Sequence, residues 1–162
     1  MGGCGSGSVL VVQEKEINRE RRKQMERNKE LFIKSIGKFA QEDWHKRHIC
    51  VPSIVTAIAV EAIDWERNKA QIDPSELFAR RKDFHASSSD LQHIVTEHND
   101  YLATWRGPSQ EAPNWERLMN EGHYIRAVQF LQDAEYPYCK SPEYERVLVK
   151  IIEGNKLTVY DE

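Results

Sequence analysis

Val51-Pro-Ser-Ile-Val-Thr-Ala-Ile-Ala-Val-Glu-Ala-Ile-Asp-Trp65 is a run of small and apolar residues into which the carboxylate of Glu61 is set. Pro52 suits the first turn of a helix, where its missing N–H costs nothing, and the residues behind it are compact enough for a buried helix. On that helix Ile54, Ala57, Ile58, Glu61 and Trp65 share one face. An acid on an apolar face is expected to hold its proton more tightly, because burial disfavours the ionised form; a general acid needs that property near neutral pH. The alternative places Glu61 at a helix edge, paired with Arg67 or Lys69.

Outward from this helix, further patterns stand in order. Phe32-Ile33, Ile36 and Ala40-Gln41 give F-I-x-x-I-x-x-x-A-Q, then Pro52-Ser53 and Thr56-Ala-Ile-Ala-Val-Glu-Ala62 follow. Leu77-Phe78 precedes a serine-led segment from Ser87 to Leu102, and Tyr124 to Asp161 closes with S-P-x-Y and L-x-x-Y-D patterns. This series resembles the bacterial and phage glucosaminidase family, the flagellar muramidase-like and autolysin-type peptidoglycan hydrolases, over about residues 32–161. The resemblance implies a mainly α, lysozyme-like helical domain with Glu61 as catalytic acid and peptidoglycan glycan strands as substrate. Asp64, Trp65 and Trp115 are the candidate substrate-binding residues, and Asp64, Glu66 and Asp83 are candidates for a supporting carboxylate. The family follows its glutamate with S-G-W-G, where this chain has Ala62-Ile63-Asp64-Trp65. It also carries a β-hairpin lobe where Leu77 to Phe84 here leads almost directly to the next helix, so a reduced or absent β-lobe is expected.

Composition bounds the remaining classes. The chain has 162 residues, 40% of them hydrophobic, and a net charge of −3. Those values suit one soluble domain with an N-terminal extension and leave no electrostatic footprint for nucleic acid. No apolar stretch is long enough to span a bilayer. Cys4, Cys50 and Cys139 are too few and scattered for a disulfide framework or a zinc knuckle, so free thiols are expected, with a Cys50–Cys139 bridge as the alternative. His93 and His98 do not share a helical face, and no zinc-binding spacing occurs. No metal and no cofactor is therefore expected.

Residues 1–31 read as a Gly/Ser tail followed by a charged helical arm, and residues 32–162 as the domain. Met1 to Ser8 is a flexible tail by composition, and it also fits the N-myristoylation pattern, with Cys4 as a second acylation site. Ser8-Val-Leu-Val-Val12 has strand propensity. With the short strand expected near the far end of the chain, it makes up the expected β content. Gln13 to Glu30 is a solvated helix whose basic cluster, Arg19, Arg21, Arg22 and Lys23, is interleaved with acids. Residues 1–30 are the expected attachment to a protein assembly partner. Phe32, Ile36, Ala40 and Trp44 then recur every four residues, predicting a packed helix to about His45.

Beyond the quoted stretch, Arg80-Arg81-Lys82 is a second basic cluster, open to an anionic glycan or to another protein. Ser87 to Asp90 forms an N-cap cluster for a helix bearing Leu91, Ile94, Val95, His98 and Leu102 on its inner face, with His98 expected as a hydrogen-bonded core histidine. Trp115 suits either the core or the wall of a sugar cleft. Tyr124, Ala127, Val128 and Leu131 mark another helix; Tyr144, Val147, Leu148, Ile151 and Ile152 mark the last, stopped at Gly154.

Two functional readings follow. In one, the chain hydrolyses the β-1,4 bond of peptidoglycan with Glu61 as acid, the substrate's N-acetyl group serving as nucleophile. In the other, it is an inactive structural or interaction protein, such as a phage virion or tail component, retaining the scaffold. No bacterial secretion signal is present in these residues, so the first reading places the protein in a virion or in the host cytoplasm, with release to the cell wall.

Overall fold

The computed structural model describes residues 3–65, 90–104, 114–133 and 138–162. Among the described residues five helices carry the fold: α1 (Gly3–Arg47), α2 (Pro52–Glu61), α3 (Leu91–Thr104), α4 (Trp115–Asp133) and α5 (Tyr144–Gly154). A 3₁₀ turn over Leu157–Asp161 follows α5. The mainly α expectation therefore stands, while the strands expected near each end are not found among the described residues.

α2 is the hub. Every residue from Pro52 to Val60 is buried, and α1, α4, α5 and the 3₁₀ turn all pack against it. A helix that is apolar all round can satisfy itself only by being enclosed. Ala57 and Ala59 let its neighbours approach closely, and the Thr56 hydroxyl donates to the Pro52 carbonyl at 2.8 Å, so its burial leaves no polar group unmet.

α1 corrects the sequence reading of the N-terminal segment. From Gly3 onward the Gly/Ser segment and the Val9 to Val12 run are not tail and strand but the first turns of one continuous 45-residue helix. Extending an existing helix adds a hydrogen bond for each residue fixed, so the glycines are carried by the turns behind them even though each costs about 1 kcal/mol against alanine. At 1.5 Å per residue α1 is about 68 Å long. Residues 11 to 23 are exposed; the packed face begins at Met25 and continues through Phe32, Ile36, Ala40 and Trp44. α1 ends at His48, whose left-handed backbone (φ 55°) directs its N–H to the Trp44 carbonyl at 3.0 Å.

Of the stripe read from its sequence α3 buries Ile94, Val95, His98 and Leu102 and leaves Leu91 half-buried, and Asp90 caps it by accepting from the His93 N–H at 3.3 Å. α4 begins earlier than the Tyr124 stripe implied. Asn114 accepts from the Arg117 N–H at 2.9 Å, and the helix passes through a left-handed residue, His123 (φ 59°). α5 buries Tyr144, Leu148 and Ile152 and leaves Val147 exposed, so its stripe is narrower than expected. Gly154 is the last helical residue rather than the stop; the left-handed turn falls on Lys156 (φ 54°). That turn drops Leu157 into the core and lays Tyr160 across α1 at Gly37.

Candidate functional site

Glu61 is the last residue of α2, and it is exposed. The expected burial on the apolar face is corrected here: enclosure stops at Val60, because a side chain at the final position of a helix reaches past the elements that wrap it. The chain then turns. The Ala62 N–H donates to Ile58 at 3.0 Å and the Ile63 N–H to Val60 at 3.3 Å. Ile63 returns to the core while Asp64 is exposed.

Trp65 closes this turn. Its indole N–H donates to the Val60 carbonyl at 3.0 Å, and its ring meets Phe32 of α1 edge-on, with centroids 5.5 Å apart at 62°. The half-buried ring is thus committed on one edge to α2 and on another side to α1. Trp115 is 1% exposed and lies in the core, so it presents no face to a sugar. Its indole N–H finds no acceptor among the described residues. Of the four candidate site residues, Glu61, Asp64 and Trp65 fall on the last residue of α2 and the turn after it, and Trp115 is enclosed in the core. Glu66, Asp83, the 80–82 basic cluster and the stretch where the β-lobe is expected to be missing lie outside the described residues.

Two polar clusters escaped the sequence reading. At the far end of α2, Val51 offers no side-chain cap. Both carboxylate oxygens of Asp161 take its place, accepting from the Ser53 N–H at 2.7 Å and the Ser53 hydroxyl at 2.6 Å. Burial pushes the Asp161 carboxyl up to about 6, against the opposing pull of those hydrogen bonds and of His123. The second cluster ties α1 to α3. Arg47 grips Asp43 with two parallel hydrogen bonds at 2.5 and 2.6 Å and reaches Asp100 at 2.5 Å, while the Asn99 amide donates to Asp43 at 2.7 Å. The Asp43 bond holds the Arg47 guanidinium well above its usual range. The i,i+4 spacing of Asp43 and Arg47 was a readable signal; Asp161 and Ser53 carry no local signal at all.

Cys50 and Cys139 are free thiols, and burial, reinforced by Asp43 and Asp161, pushes the Cys50 thiol well above its usual value, which makes it unreactive. His98 is the expected hydrogen-bonded core histidine, its Nε2 3.0 Å from the Tyr138 hydroxyl. Among the described residues no group of three or more His, Cys, Asp or Glu side chains could hold a metal ion, and no helix is long and apolar enough to cross a membrane.

Comparison with protein-family models, with curated proteins and with solved structures found no match.

Proposed function

We propose that this chain hydrolyses the β-1,4 glycosidic bond of peptidoglycan, with Glu61 as the acid that protonates the leaving oxygen. The observation that supports this reading is the position of Glu61: a solvent-accessible carboxyl at the end of a helix whose other residues are locked in the core. A rigid support holds an acid in register with a scissile bond, and an exposed carboxyl can be reached by a polymer. A bound glycan strand would supply the water exclusion that α2 does not. The proton passes from Glu61 to the bridging oxygen as the bond to the anomeric carbon breaks, and the substrate's N-acetyl oxygen takes up the electron-poor carbon until water replaces it. No cofactor is required for that sequence.

Muropeptide release from purified peptidoglycan, with mass analysis of the new reducing ends, tests the reading. Products ending in reducing N-acetylglucosamine, lost with Glu61→Gln, are the expected result. A folded wild-type chain that releases nothing from several wall types refutes it.

One observation favours a second reading, an interaction protein on the same scaffold. The exposed stretch of α1, residues 11 to 23, carries Val11, Val12 and Ile17 about half open to solvent, N-terminal to the packed residues that begin at Met25. Most helical stability in proteins comes from tertiary packing, and residues 11 to 23 are exposed, so a protein partner that covers this arm would supply that packing. Silence in the muropeptide assay would turn attention to that arm.

A further inference from the structure

Trp65 sits where a sugar platform is expected beside Glu61, yet its contacts point to another role. We infer that Trp65 is a positioning residue, a latch that fixes the end of α2 and with it the Glu61 carboxyl; the part of this inference that concerns catalysis rests on the hydrolase reading above. The last carbonyls of a helix have no partner within the helix. Here the Val60 carbonyl accepts from the Ile63 N–H at 3.3 Å and from the Trp65 indole at 3.0 Å. The second bond comes from a side chain anchored on a different helix, because the same ring packs edge-on against Phe32, which is 3% exposed. Glu61 lies between the two ends of this latch, with Val60 before it and Trp65 after it. Its backbone cannot rotate without breaking the indole bond or lifting the ring off α1. A tryptophan used in this way has its N–H spent and its ring packed against α1, and a sugar would have to compete with the fold for it.

Two variants separate the roles. Trp65→Phe keeps an aromatic ring against Phe32 and loses the N–H; Trp65→Leu loses the ring as well. Amide hydrogen exchange on the folded chain reads the latch without reference to activity. In Trp65→Phe the Ala62 and Ile63 amides are expected to exchange at least about tenfold faster, while those of Ala57 and Ile58 stay protected. Unchanged exchange at Ala62 and Ile63 in both variants overturns the latch. Kinetics on a soluble glycan fragment then reads its consequence. A fall in kcat with KM preserved supports positioning, whereas a rise in KM with kcat preserved identifies a sugar platform and overturns it. If the wild-type chain has no activity, the hydrolase reading fails, and the exchange result alone decides whether Trp65 latches α2.

Discussion

Asp161 accepts hydrogen bonds from both the backbone N–H and the hydroxyl of Ser53, and so caps the central helix from a point 108 residues further along the chain. An N-cap is worth about 1 kcal/mol and a buried hydroxyl left without a partner costs about 1–3 kcal/mol. Asp161→Ala should therefore destabilise the fold by about 2–3 kcal/mol at pH 5, measured by urea unfolding.

The same carboxyl gives the stability a pH dependence of definite sign. Its folded value, about 6, lies above the ordinary 3.8, so the native state holds this proton more tightly than the unfolded chain does. The contribution is fully present below 3.8 and is lost as the pH rises through 6. Urea titrations from pH 4 to 7 should show the wild type losing up to about 3 kcal/mol relative to Asp161→Asn, which cannot ionise. A constant difference between the two would contradict the burial of Asp161.

Gly37 has a helical conformation and a neighbour that leaves no room for more. A Cβ there would stand 2.5–2.7 Å from three ring atoms of Tyr160. Gly37→Ala, which would gain about 1 kcal/mol in an open helix, should instead cost about 1–2 kcal/mol. In a Tyr160→Ala background the same change should become neutral or stabilising. A double-mutant cycle in thermal or urea unfolding measures the difference.

Arg47 faces Asp43 with a planar fork, and Asp43 is only 8% exposed. Arg47→Ala leaves that carboxylate to Asn99 alone and should cost about 1–3 kcal/mol, less than the roughly 3–5 kcal/mol of a fully buried pair because Arg47 itself is partly solvated. Arg47→Lys should recover little of the loss, since an ammonium cannot make the paired bonds or span to Asp100 as well. Raising the salt concentration tenfold should change the wild-type stability only slightly if the pair is as enclosed as its geometry implies.

Glu61→Gln should leave stability within about 1 kcal/mol of the wild type, as expected at an exposed position, where even an ion pair contributes little. The midpoint of urea unfolding checks this directly, and it makes any loss of muropeptide release attributable to chemistry rather than to folding.

Most of the helical content was legible from local pattern. Phe32, Ile36, Ala40 and Trp44, and Ile94, Val95, His98 and Leu102, repeat at helical spacing because each helix has one enclosed face, and a periodic sequence reports a one-sided environment well. α2 was legible for the opposite reason, having no polar face to hide. Periodicity misled at Glu61: face membership was read correctly, but exposure there depends on where the surrounding helices end, which no local repeat encodes. It also missed the continuity of α1, since glycine and serine composition argues for a tail while helix propagation depends on the neighbours. The partnerships of Asp161 with Ser53 and of Asn99 with Asp43 belong to tertiary structure alone.

The separation of Ser53 from Asp161 also has a kinetic side. Contacts between neighbouring turns form early, whereas a pair 108 residues apart must wait until the intervening chain has collapsed and its loop entropy has been spent. The cap on α2 is therefore expected to form late in folding. Weakening it should then shorten the lifetime of the native state more than it slows refolding.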